Sequence, residues 1–402
     1  MHPMAAALGG YRLALSQPAY RRLWLAALVS RTGDTIHFTA VPLLVLGLTG
    51  SAGAVAAIVF VEGIGLIAGG LVAHMVVDRL PPRRLLVLLD VLRAVGAGVL
   101  AAFPTFPIAL PVSVLLAVGT AMFTPVSNAV VPRLVADRAL PAANGLQWTA
   151  GVVLQLIGAP LGGFLISAGL ARIAFALNAL SFLGSALLLM GLPRLSSLQE
   201  APGFAWGQLG EGIRALGAVR ILRPLVVMQS LAALAVGSTS ALLVVLAQQA
   251  YGLSGSGYGL WLSAIAIGAL IGPVLVSPLA RLPPSRVISG AYIVRGVGDI
   301  GLALLPGGPG GAVLLVLYGL NTSSGMVAFQ TMVQREVPAP FRGRAFAVLD
   351  VVWQTGRLLS IAGGVALVTV IGIRSLFLVG GSVLMLAGAF GLFRLRRPRA
   401  PA

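Results

Sequence analysis

The chain has 402 residues, 58% of them hydrophobic and only 9% charged, where soluble globular proteins are about 25% charged. Too few polar groups exist to cover a water-facing surface, which excludes an ordinary soluble domain and points to lipid as the solvent. The net charge of +17 comes from arginine alone, without lysine or cysteine. That excludes disulfides and cysteine metal sites, and the scatter of arginines through short loops argues against a nucleic-acid partner.

Apolar runs of about twenty residues cross roughly 30 Å of hydrocarbon as helix. The pattern predicts such helices over 23–48, 53–76, 85–103, 108–131, 142–168 and 173–192. A second set is predicted over 224–250, 257–279, 287–305, 311–333, 344–370 and 375–393. The breaks rest on turn signals such as Gly50-Ser51, Pro104 to Pro107 and Pro306-Gly307-Gly308-Pro309. The first run follows Arg21 and Arg22 but is too long for a signal peptide. The domain reading is therefore a bundle over 1–192, a linker over 193–223, and a second bundle with a basic tail over 224–402. Within the linker Trp206, Leu209, Ile213 and Leu216 recur at helical spacing, as in an amphipathic helix on a membrane surface.

Arginine placement supports an even number of spans. With both termini cytoplasmic, only Arg172 and Arg374 fall on the outer side, and Arg31, Arg93, Arg295 and Arg357 fall within helices. All the others lie in cytoplasmic loops and tails, as expected where positive charge is retained inside. The expected location is the cytoplasmic membrane.

The halves repeat. Arg79-Leu80-Pro81-Pro82-Arg83-Arg84 returns as Arg281-Leu282-Pro283-Pro284-Ser285-Arg286, each after the second helix of its half. At the same offset Arg93, Val95 and Gly96 match Arg295, Val297 and Gly298. Repeated halves are a common plan of transporters, with the substrate near mid-membrane. The predicted fold class is an all-α membrane protein of twelve spans in two pseudo-symmetric six-helix bundles. A nutrient importer or uniporter, and more remotely a membrane enzyme or sensor, remain alternatives; an enzyme would need a clustered catalytic set, which the sequence lacks.

Several segments resemble the major facilitator superfamily over nearly the whole chain. Asp78, Arg79, Arg83 and Arg84 fit its Gly-x-x-x-Asp-Arg-x-Gly-Arg-Arg loop, with His74 and a proline in place of the glycines. The resemblance implies that this cluster gates the two halves, with Asp78 near Arg342 and Arg344 at the start of helix 11. Gly158, Pro160, Gly162 and Gly163 in helix 5 resemble the Gly-Pro-x-x-Gly motif of the family's antiporters, with Ala159 replacing the first glycine. Arg31-Thr32-Gly33-Asp34, Val131-Pro132-Arg133-Leu134-Val135, Ala143-Asn144-Gly145-Leu146 and Glu211-Gly212-Ile213-Arg214 are similar to the drug:proton antiporter branch that includes macrolide and siderophore exporters. Helix 4 lacks the arginine that many of those antiporters use for proton coupling.

Ionisable groups inside a bilayer are costly and are functional candidates. Arg31 and Asp34 lie three residues apart near mid-depth of helix 1, with Phe38 on the same face. Asp34 could bind a proton or a cationic substrate opposed by the Arg31 charge, or form a structural ion pair with it. Glu62 near mid-helix 2 could exchange a proton or merely hydrogen-bond a neighbouring helix. Asp350, Gln354 and Arg357 share a face of helix 11 beside Trp353, as cavity residues or as a packing network. Asp90/Arg93 and Arg295/Asp299 read as pairs within single helices. Asn128, Gln147, Trp148, Gln155, Gln229, Gln248, Trp261, Asn321 and Gln330 are weaker cavity candidates, and His37 and His74 are titratable. No phosphate-binding loop is present. The expectation is a monomeric, cofactor-free exporter of a lipophilic molecule, driven by a proton gradient, with the bilayer, the substrate and protons as its partners.

Overall fold

The computed structural model describes residues 10–76, 79–194, 221–279, 282–305 and 308–395. Backbone in hydrocarbon has no water to bond, so each segment must satisfy its own N–H and C=O groups, as a helix does. Among the described residues the chain is helical and contains no strand. The first half forms α1 (Pro18–Thr49), α2 (Ala52–Val76), α3 (Pro82–Ala102), α4 (Phe106–Leu134), α5 (Leu140–Ser167) and α6 (Ala171–Met190). The second forms α7 (Leu222–Ala241), extended by a turn and a π-helical segment Leu246–Ala250, then α8 (Gly255–Leu279), α9 (Pro284–Leu304) and α10 (Gly308–Glu336). The last helical stretch, Ala339–Arg394, breaks at Gly372, whose φ of 78° and ψ of 165° are open to glycine alone. It therefore makes α11 (339–371) and α12 (373–394).

Each predicted run lies on one of these helices, with ends displaced by a few residues. Among the described residues, ten stretches are long and apolar enough to cross a membrane, the last of them, Val348–Arg394, containing the Gly372 break. Helix α1 falls outside that set, since Arg31, Asp34 and His37 occupy its middle.

The Leu-Pro-Pro repeat shows how sequence dictates local geometry. A residue before proline is driven out of the helical region, and proline is well suited to the first helical position. Pro81 and Pro283 accordingly share one backbone conformation, φ −55°, ψ 135° and φ −56°, ψ 135°. Pro82 and Pro284 then open α3 and α9.

The chain divides into two compact units, Met1–Gly50 with Val61–Phe204, and Ser51–Phe60 with Ala205–Ala402. The repeat extends to packing inside each. Gly65 and Gly69 of α2 meet Val114 and Val118 of α4, where a Cβ on Gly69 would lie 2.6 Å from the Val118 carbonyl. Gly268 and Gly272 of α8 meet Val316 and Leu320 of α10, where a Cβ on Gly268 would lie 2.7 Å from the Leu320 nitrogen. Small residues that admit a neighbouring backbone are the expected device where lipid supplies no hydrophobic drive between helices.

Arginines close some helix ends. Arg22 donates to the Gly191 carbonyl just past α6. Arg374 donates to Ala303 at 2.7 Å and to Ala250 at 3.0 Å, so one guanidinium serves carbonyls of α9 and of the extension of α7. That role accounts for an arginine at the end expected to face outward. In α7, the Ser360 hydroxyl of α11 donates to the Leu234 carbonyl at 2.6 Å and accepts from the Ser238 N–H at 2.9 Å. An uninterrupted helix would pair those two backbone groups with each other. Most of the linker, including Trp206, Leu209, Ile213 and Leu216, lies outside the described residues.

Gly268→Val should lower the melting temperature in detergent, by about 1–3 kcal/mol of overpacking strain. Gly290→Ala, with nothing within 4 Å of the added carbon, should leave it unchanged or raise it slightly.

Candidate functional site

In the first unit the chemistry gathers around Arg93 of α3. Its side chain is 2% exposed, and a guanidinium at that depth must find fixed partners. One turn back, Asp90 receives one Nη. The other Nη lies 3.6 Å from the Asp34 carboxylate of α1 and donates to the Thr120 hydroxyl of α4 at 3.3 Å. The guanidinium carbon sits 4.7 Å from the Phe123 ring centre and 4.3 Å from that of Phe182. Gly119 makes the room, since a Cβ there would lie 2.7 Å from the Arg93 methylenes. Asp90 is fully buried, while the Asp34 side chain keeps 29% exposure.

This changes the expected partner of Asp34. Asp34 makes its ion pair with α3, and Arg31 instead donates to the Gln147 carbonyl of α5 at 3.1 Å. Asp34 faces α3, where it adds a second carboxylate to a cation already paired with Asp90, and Arg31 turns to α5 instead. The intrahelical pair Asp90/Arg93 forms as read from spacing, but Arg93 also reaches α1. Helix α4 carries Arg133 only in its last turn, and the cation beside its middle is supplied by α3.

The glycines of the helix 5 motif lie beside the same part of α1. A Cβ on Gly158 would sit 2.9 Å from Thr35, and one on Gly162 would sit 2.7 Å from the Ile36 carbonyl. Pro160 is half-buried and Gly163 buried behind them. Glu62 is half-buried near mid-length of α2, and Phe38 is more than half exposed. His37 is buried edge-on to Phe175 at 5.7 Å, and neither ring nitrogen has a hydrogen-bond partner among the described residues. Of the gate loop, Asp78 and the side chain of His74 lie outside the described residues. Arg79 and Arg84 are exposed and Arg83 half-buried. Arg342 donates to its neighbouring Val337 carbonyl at 3.0 Å, and the Arg344 side chain is outside the described residues.

The second unit holds a cavity of about 400 Å³. Aromatic side chains dominate its wall: Tyr292 of α9, Tyr318 and Phe329 of α10, Phe346 and Trp353 of α11. Asp350, Gln229, Asn321 and Gln330 add polar groups. Asp350 and Trp353 thus face a common space, whereas Gln354 and Arg357 do not line it. Arg295 also lines the cavity, but its guanidinium is stacked on Tyr318 at 3.2 Å and paired with Asp299 at 3.1 Å. Asp350 has no ion-pair partner among the described residues. Tyr292 donates to the Gln229 side chain and fixes both. The tyrosines and phenylalanines of this wall were not singled out from sequence, because an aromatic in an apolar run gives no sign of facing a cavity. Trp261 is buried and donates to Gly308 at 3.3 Å, a packing role.

Twelve helices among the described residues, in two repeated units that enclose charged groups and an aromatic-walled cavity, together with the family match make this a major facilitator secondary transporter and not an enzyme. The chain belongs to the transmembrane secretion effector family of that superfamily, which it matches over residues 12–402. It is 29% identical over 354 residues to the multidrug efflux pump Tap of Mycobacterium tuberculosis, covering 83% of this chain and 82% of Tap. It is 25% identical over 291 residues to the MFS-type transporter YfiS of Bacillus subtilis, covering 68% of each. Among solved structures, the nucleoside transporter NupG superposes with a TM-score of 0.74 at 14% identity, over 94% of this chain and 100% of NupG. A bacterial homologue of the iron transporter ferroportin gives 0.74 at 18% identity, over 94% and 99%. These structural likenesses speak to the fold.

Arg93→Leu leaves Asp90 buried without its cation and should cost about 3–5 kcal/mol. Adding Asp90→Asn should recover part of that loss. Arg31→Leu, which removes one charge-assisted bond, should cost at most about 3 kcal/mol. Thermal unfolding of the four proteins in one detergent checks the order.

Proposed function

We propose that the chain exports a lipophilic small molecule from the cytoplasm by alternating access, against entry of protons, with Asp34 as the coupling carboxylate. The observation that carries this reading is the sharing of buried Arg93 by two carboxylates from different helices, one sealed and one partly exposed. Protonating Asp34 weakens the tie between α1 and α3, while Asp90 keeps the guanidinium neutralised. A proton is thereby exchanged for freedom of α1, which Gly158 and Gly162 allow α5 to approach closely. Glu62 is the second carboxylate placed to carry a proton.

The aromatic cavity of the second unit is the proposed substrate site. Its size fits a drug-sized molecule, its rings offer stacking surfaces, and Asp350 favours a basic centre. The 29% identity to a multidrug efflux pump supports the export direction. The protein is placed in the cytoplasmic membrane with both termini inside, in keeping with its arginine distribution, and acts as a monomer. Asp78, Arg79, Arg83 and Arg84 are proposed as the gate between inward and outward states.

The test is proton release from purified protein on addition of a panel of lipophilic drugs and siderophores. Release by the parent and its loss in Asp34→Asn, with Glu62→Gln as the second candidate, is the expected result. Compounds that bind without releasing protons from the parent would overturn antiport. Expressing cells should lose a transported dye, and accumulation would indicate import. For a cationic dye, Trp353→Ala and Asp350→Asn should each weaken binding several-fold, in keeping with about 0.5–2 kcal/mol for a cation–aromatic contact.

A further inference from the structure

A second cavity, outside the charged cluster and the aromatic pocket, opens at the arginine-rich end of the first unit. It is a groove of about 540 Å³ between the start of α3 and the end of α6. Arg83, Arg84 and Arg194 line it together with Leu88, Val91 and Met190. None of the three arginines forms an ion pair with a described residue. Nor are they the cap of α6, because Arg22 donates to the Gly191 carbonyl there. Three cations therefore converge on one groove without an anion among the described residues.

The groove continues into an exposed apolar track. On α3 it passes Leu88, Val91 and Val95, which are 47%, 39% and 60% exposed at successive helical turns, and ends at Val99. On α6, Met190, Leu187 and Leu183 form the facing edge, all exposed. From Leu88 to Val99 the track runs roughly 16 Å at 1.5 Å per residue, close to half of a hydrocarbon core of about 30 Å. A basic pocket at one end of a one-leaflet apolar track has the two parts of an anionic phospholipid, a phosphate headgroup and an acyl chain. Basic pockets between membrane helices are suited to such headgroups. A soluble anion would use the arginines but leave the track bare.

We propose that this groove is a binding site for an anionic phospholipid, with the headgroup phosphate held by Arg83, Arg84 and Arg194 and an acyl chain laid along α3 and α6. The proposal does not depend on which substrate is exported or on proton coupling, and it shares Arg83 and Arg84 with the proposed gate. It gives the paired arginines that open α3 a ligand of their own.

The experiment is native mass spectrometry of the delipidated full chain with phosphatidylglycerol and with phosphatidylcholine of identical chains. The parent should retain phosphatidylglycerol preferentially. A triple variant, Arg83→Ala with Arg84→Ala and Arg194→Ala, should lose that preference by at least about tenfold, since each basic group adds to attraction for an anionic headgroup. A control removing equal charge elsewhere in the same unit, Arg12→Ala with Arg138→Ala and Arg172→Ala, should keep it. Glycerol phosphate in excess should fail to displace the bound lipid. Equal preference in the parent and the triple variant, or equal loss in the control, would overturn the proposal. Displacement by glycerol phosphate would also overturn it, assigning the groove to a soluble phosphate ester. Unfolding temperatures of all three proteins separate lost binding from lost folding. Leu88→Asn with Val91→Asn should weaken retention while leaving the arginines in place.

Discussion

A guanidinium buried in the first unit organises much of what surrounds it. Arg93 cannot shed its charge, and hydrocarbon offers no partner, so the neighbouring helices must each present one. Helix α1 gives Asp34, α3 gives Asp90, α4 gives Thr120 and the Phe123 ring, and α6 gives Phe182. Gly119 is required because any side chain there would displace the arginine stem. Four helices thus contribute to the surroundings of one cation. Such an arrangement is weak evidence for stability as such, since desolvation opposes the Coulomb attraction.

The second half repeats the arginine but not the full set. Arg295 stands where the repeat requires, paired with Asp299 and stacked on Tyr318. The offset that links Arg93 to Arg295 links Asp34 to Val236, so the second half has no acid at that place. Val236 lines the aromatic cavity instead. The repeat thus keeps the intrahelical arginine–aspartate pair in both units, while the second carboxylate stands only in the first.

Much of the fold was legible from sequence because hydrocarbon imposes a length on each span and proline and glycine mark the breaks. The twelve helices fall where the apolar runs do, and the Leu-Pro-Pro repeat fixes the same backbone twice. The site was legible in part. Carboxylates and arginines within apolar runs announce themselves by their rarity there, so Asp34, Asp90, Arg93 and Asp350 could be singled out. Their partners could not, because spacing along one helix shows only neighbours on that helix. Arg31 looked like the partner of Asp34 for that reason, while the actual partner comes from 59 positions further on. Gln354 and Arg357 share a helical face with Asp350 by count, yet the wall of the cavity turns away before reaching them.

The Ser360 hydroxyl, set between the Leu234 carbonyl and the Ser238 N–H, has a mechanical consequence. A helix normally resists bending because opening one turn strands a donor and an acceptor in hydrocarbon. Here both groups already have a partner carried by α11, and Gly237 brings the two backbones together. Opening that turn would therefore leave neither group stranded as long as Ser360 stays in place. Because the bridging hydroxyl belongs to α11, any such opening of α7 is tied to the position of α11.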